Sequence, residues 1–180
     1  MPDDRQPWFV VVDPQRIFAD PTSDWAAPRF GEIVEPVRAL ASAHAGRTLV
    51  TRWLPGADRA GSWRAYFDRW QFADRPDEDP LLDLVPQAEG LTERPTIDVS
   101  TFGKWSPALQ SVVGHHAHLV LAGVATDCCV TVLPDPNGPG IAAAPPMTRG
   151  NSTSRMRIPV RNGRLGSSLR ATGRGARTGQ

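Results

Sequence analysis

Apolar residues fall along this chain in two rhythms. Short continuous runs occur at Trp8–Val12 (WFVVV), Thr48–Trp53 (TLVTRW), 96–99 (TIDV) and 119–122 (LVLA). Runs of this length, rich in β-branched residues and bounded by turn formers, predict strands of a parallel sheet buried on both faces. Between the first two, Ile33, Val34, Val37, Leu40 and Ala41 keep helical spacing. Pro36 is placed in the first turn of that helix and Gly46 closes it. Trp63, Tyr66, Phe67 and Trp70 stand at i, i+3, i+4 and i+7, one face of a short helix. Ser106 and Pro107 are suited to the N-cap and first position of another helix. Its inward residues are Leu109, Val112 and Val113, and Gly114 stops it. Segments 18–30 and 71–91 are proline-broken and read as loops. After 119–122, Gly123 turns the chain through Val124, Ala125, Thr126 and Asp127 into Cys128 and Cys129, at the start of a further helix.

Strands alternating with helices predict an α/β, doubly wound (Rossmann-like) three-layer sandwich with right-handed crossovers. Ligands bind such sheets outside the carboxyl ends of the strands. Asp13, Lys104 and Cys129 all fall just past predicted strand ends. Each has a bland reading: Asp13 as a turn former beside Pro14, both cysteines as small core residues. Together they make a site. A cysteine at a strand-to-helix junction has its thiolate stabilised by the helix N-terminus, and the same N–H groups can hold an oxyanion. The aromatic stripe 63–70 is core by its spacing, or a pocket wall. The histidines 115, 116 and 118 precede a strand and lack an acid at ligand spacing, so no metal is expected.

Charge adds a division. The net charge of +1 hides an uneven split. Residues 1–135 hold all 19 acids and 12 bases, and residues 136–180 hold eight arginines and no acid. Among 20 basic residues Lys104 is the one lysine, a bias of the kind GC-rich genes impose. Its survival singles it out, because a compact ammonium does work that a guanidinium cannot. No apolar run approaches the roughly 20 residues of a membrane span. The start MPDDRQP lacks a signal pattern, and adjacent cysteines are poor disulfide material, so a cytoplasmic protein is expected.

Three stretches, VVVDPQRIF, STFGKWS and AGVATDCCV, resemble in order and spacing the isochorismatase-like cysteine hydrolases, which include nicotinamidases and carbamoylsarcosine amidases. The resemblance covers residues 8 to about 133. It implies Cys129 as nucleophile, Asp13 as base and Lys104 as the cation that stabilises their ion pair. It also implies a cis peptide before Ala125 and an oxyanion hole from the N–H groups of Ala125 and Cys129. Metal-dependent nicotinamidases carry an aspartate and histidines after the second strand. Here 51–70 has no histidine to accompany Asp58, so neither metal nor cofactor is expected. Trp25, Trp53, the Trp63–Trp70 helix, with Trp63 foremost, and Trp105 are the expected pocket walls.

After Leu133 the resemblance calls for two more strands and their helices. Residues 134–180 instead hold six prolines and eight glycines, with no aromatic and no period. Such composition predicts a disordered Pro/Gly/Arg-rich tail, as though a GC-rich gene were read in another frame. The expected domains are thus 1–133, an incomplete hydrolase lacking its last two strands, and the tail 134–180. The leading function is hydrolysis of a small amide or related C–N bond through a thioester. The alternative is a catalytically compromised remnant of such a hydrolase. A third reading, the tail as a nucleic-acid tether, is disfavoured by its lack of lysine and aromatic residues. The expected partners are a small-molecule amide and, by resemblance, a second copy of the chain in a homo-oligomer.

Overall fold

The computed structural model describes residues 6–114, 117–125 and 129. Strand β1 (Trp8–Val12) leads into a single helical turn, α1 (Arg16–Ala19), and then α2 (Phe30–Ala43). Strand β2 (Thr48–Trp53) is followed by α3 (Ser62–Arg69) and by three short 3-10 turns at Gln71–Ala73, Pro80–Leu82 and Pro86–Ala88. Strand β3 (Ile97–Val99), α4 (Pro107–Val113) and β4 (Leu119–Gly123) complete the described fold. All pairings are parallel and the sheet order is β3-β2-β1-β4. The doubly wound arrangement predicted from the sequence is therefore present, with four strands among the described residues.

The central strand β1 alternates between two buried layers, as a strand inside a three-layer fold must. Phe9 and Val11 join Val37 and Ala41 of α2, together with Val50 and Ala122. Val10 and Val12 join Leu109 of α4, with Leu49, Ile97, Leu119, Leu121 and Cys129. A third cluster, built on Trp25, Trp53, Tyr66, Phe67, Ile17 and Leu82, fills the space beyond the strand ends. Burying an aliphatic or aromatic side chain contributes about 1.5–3 kcal/mol. The two faces of β1 therefore hold its register against β2 and β4.

Several local expectations shift. Helix α2 begins at Phe30, so Pro36 lies in the helix interior and not in its first turn. Its ring removes the hydrogen bond to the Glu32 carbonyl. Both residues face solvent, where water can satisfy that carbonyl. Part of the expected loop 18–30 is helical, since α1 runs on through Phe18 and Ala19. Val112 is exposed, while Leu109 is buried and Val113 half-buried, because the i, i+4 pair defines the inner face of this seven-residue helix. Ser106 caps α4 as expected, its hydroxyl accepting from the Leu109 N–H at 3.2 Å.

The strand order places the topological switch point between β1 and β4. Gly123 makes that junction tight. A Cβ there would lie 2.1 Å from the Val12 carbonyl oxygen, and its φ of +128° is open only to glycine. The Val124 N–H then donates to the Val12 carbonyl at 3.0 Å. The chain leaving β4 is thus laid directly across the end of β1, where Asp13 stands.

Candidate active site

Asp13 follows the last residue of β1 and is fully buried. Its φ of 49° is left-handed, a conformation that costs a non-glycine residue energy and is held only by its surroundings. Three contacts do the holding. The Gln15 N–H donates to the Asp13 carbonyl at 2.7 Å. The Asp13 N–H donates to the Thr51 hydroxyl oxygen at 3.2 Å. That hydroxyl in turn donates to Asp13 Oδ1 at 2.8 Å. The other carboxylate oxygen, Oδ2, lies 2.8 Å from Lys104 Nζ. This contact is a charge pair more than an aligned hydrogen bond, for Oδ2 takes no hydrogen bond of regular geometry among the described residues.

Lys104 reaches Asp13 although β3, the strand before it, is two places away in the sheet. The turn 100–106 carries it back. The Thr101 hydroxyl donates to the Gly103 carbonyl, the Ser106 N–H donates to the Lys104 carbonyl, and Lys104 Nζ donates to the Thr101 carbonyl at 3.2 Å. The ammonium is 4% exposed and the carboxylate 0%. Two such charges stay buried because each neutralises the other, with Thr51 adding a hydrogen bond to the carboxylate and the Thr101 carbonyl accepting one from the ammonium.

Cys129 is buried, forms no disulfide, and belongs to the α4-face cluster that also holds Val12, the residue before Asp13. Ala125 and Trp105 pack against that cluster. The peptide between Val124 and Ala125 is cis, as the resemblance implied. Residues 126–128, Cys128 among them, lie outside the described residues. So do the helix expected after Cys129 and the tail 134–180.

The remaining predicted site residues divide. Trp53 and Trp63 share the aromatic cluster beyond β2, and Trp105 sits in the α4-face cluster. Trp53 is fully buried, stacked on Phe67 and Phe102 with ring centroids 6.4 and 6.3 Å away. Trp63 and Trp105 are half-buried. Phe102, two residues before Lys104, packs against both clusters and joins them. The loop after β2 is tied down by Arg59, which binds Asp74, the Pro55 carbonyl and the Gly56 carbonyl and lies 4.4 Å over the Phe67 ring. Asp58 accepts from the Ala60 N–H and acts as a turn former. Among the described residues no group of three His, Cys, Asp or Glu is placed to hold a metal ion. Nor is any described helix long and apolar enough to cross a membrane.

Two site residues escaped the sequence reading. Gln15 is fully buried; its Nε2 donates to the Trp53 and Leu82 carbonyls at 2.9 and 2.7 Å, and its Oε1 accepts from the Trp53 N–H at 2.8 Å. It pins the turn after Asp13 to the end of β2. Thr51 is the other. A glutamine two places beyond a strand-ending aspartate was a visible signal. Thr51 gave almost none, because threonine is an ordinary strand former.

Comparison with known proteins agrees with this fold. A sequence model of the isochorismatase domain family matches residues 7–133. No curated protein matches the chain by sequence. Among solved structures, a cysteine hydrolase from Pseudomonas syringae pv. phaseolicola is similar at a TM-score of 0.59 and 17% identity, over 71% of this chain and 63% of that one. This chain thus spans less than two thirds of that relative's length. An isochorismatase-like hydrolase from Alkaliphilus metalliredigens has a TM-score of 0.53 and 12% identity, over 71% of this chain and 70% of its own. The N-carbamoylsarcosine amidase of Thermoplasma acidophilum has a TM-score of 0.50 and 16% identity, over 69% and 71%. At these identities the likeness is one of fold.

Proposed function

Since the chain belongs to the isochorismatase family, we propose that it is a cysteine-dependent hydrolase that cleaves the C–N bond of a small amide through a thioester on Cys129. The observation that carries this reading is the buried Asp13–Lys104 pair at the switch point, 2.8 Å apart, beside the apolar cluster that contains Cys129. Asp13 Oδ2 receives the thiol proton. Lys104 balances the charge of the resulting thiolate and carboxylic acid pair. The thiolate adds to the amide carbonyl, and the N–H groups of Ala125 and Cys129 hold the oxyanion. Collapse of that intermediate breaks the C–N bond, and Asp13 returns its proton to the departing amine. Asp13 then takes a proton from water, whose oxygen adds to the thioester. Its collapse releases the carboxylic acid and restores the thiol.

Trp63, Trp105 and Phe102 are the walls we assign to the substrate, with Trp53 as the buried floor behind them. Such walls favour a substrate with an apolar or planar part. The test is ammonia release from a panel of small primary amides and N-carbamoyl compounds. The full chain should release ammonia from at least one of them, and Cys129→Ala and Asp13→Asn should not. Equal release by Cys129→Ala would defeat the proposal. A second reading, a catalytically compromised remnant, is favoured by the composition of residues 134–180. It predicts no turnover on any amide while Cys129 keeps its reactivity toward alkylating agents.

A further inference from the structure

We propose that Thr51 is a positioning residue for the base. Its hydroxyl sets the carboxylate of Asp13 so that Oδ1 is occupied and Oδ2 is the oxygen that exchanges a proton with Cys129. The inference deepens the proposed function and rests on it.

Two distances fix the direction of the hydroxyl. Asp13 N lies 3.2 Å from Thr51 Oγ1, and a backbone N–H can only donate, so Oγ1 accepts there. A hydroxyl has one proton, and the second contact, at 2.8 Å to Asp13 Oδ1, receives it. Thr51 therefore grips the main chain and the side chain of one residue at once. It is fully buried in a fully buried site, so solvent does not compete for either bond. The grip matters because Asp13 stands in the left-handed region, where its carboxylate direction depends on what holds it. With Oδ1 bonded to Thr51, the plane of the carboxylate is set, and Oδ2 faces Lys104. Packing alone would be served as well by valine, which has the same shape and buries no hydroxyl. Of the two buried threonines of β2, Thr48 donates to the Ala41 and His44 carbonyls of the preceding helix end, whereas Thr51 answers to Asp13.

The experiment measures the initial rate of iodoacetamide labelling at Cys129 in the full chain at neutral pH, by peptide mass mapping. It compares the wild type with Thr51→Val, Thr51→Ser and Asp13→Asn. Thr51→Val removes the hydroxyl at constant shape and should label roughly tenfold more slowly, the scale of a lost hydrogen bond to a charged group. Thr51→Ser restores the hydroxyl and should label within about twofold of wild type on the same scale. Melting curves accompany each variant; if Thr51→Val no longer melts cooperatively, Thr51→Ala carries the same comparison. A wild-type rate in the hydroxyl-free variant beside a slow Asp13→Asn overturns the role of Thr51 and leaves the base standing. A Thr51→Ser variant as slow as Thr51→Val also overturns it, because the effect would then belong to packing. A wild-type rate in Asp13→Asn defeats the underlying reading of Asp13 as base.

Discussion

Lys104 is where residue identity matters most. It is the one lysine in the chain, and its Nζ is buried against Asp13 and the Thr101 carbonyl. A guanidinium is planar and larger, and it cannot occupy this space with the ammonium's geometry. Lys104→Arg should therefore lose roughly a hundredfold or more in hydrolysis rate, the usual loss for one positioned electrostatic group. Turnover near wild type on any amide the wild type cleaves would remove Lys104 from the mechanism. Asp13 and Lys104 were legible in the sequence because each sits where a strand gives out and each has chemistry that its neighbours lack. Gln15 and Thr51 were not legible to the same degree. Their roles depend on contacts 38 residues away along the chain, which neither period nor spacing reports.

Among the elements, the turn out of β4 is the most constrained. Gly123→Ala would press a methyl into the Val12 carbonyl and impose a φ that alanine rarely adopts. The cost should be at least about 3 kcal/mol, from overpacking and backbone strain together. Urea unfolding measures it, and a loss under about 1 kcal/mol would mean that β4 does not need its close approach to β1. Strand β3 has only three residues and is clasped to β2 by Arg52 and Asp98, 2.7 Å apart. Burial pushes the Asp98 carboxyl up, but hydrogen bonds from Arg52 and Thr96 outweigh it and hold the group below its ordinary value. A depressed carboxyl contributes stability above its unfolded value of about 4 and loses it as pH falls through the folded value. Acid should thus weaken the β2–β3 edge in the wild type more than in Asp98→Asn, as read by melting temperature between about pH 5 and pH 3. Parallel melting curves for the two proteins across that range would dismiss the clasp. The four strands were legible because short buried runs have one reading between turns. The interior position of Pro36 was not, because the helix start at Phe30 carries no capping side chain to announce it.

For the whole molecule, the family match over 7–133 and the change of composition after Leu133 divide the chain at the same place. The composition of residues 134–180 predicts a tail that adds little to the core. On that expectation a chain ending at Leu133 should melt within a few degrees of the full one. A fall of about ten degrees or more would make the tail part of the fold. The assignment of the nucleophile, on which the site rests, comes down to which of two adjacent cysteines reacts. Brief iodoacetamide treatment of the full chain at neutral pH, followed by mass mapping of the peptide spanning Cys128 and Cys129, reads this directly. A thiolate supported by Asp13 and Lys104 should place the label on Cys129 well before Cys128. A label mainly on Cys128, or on neither, would contradict the site as drawn.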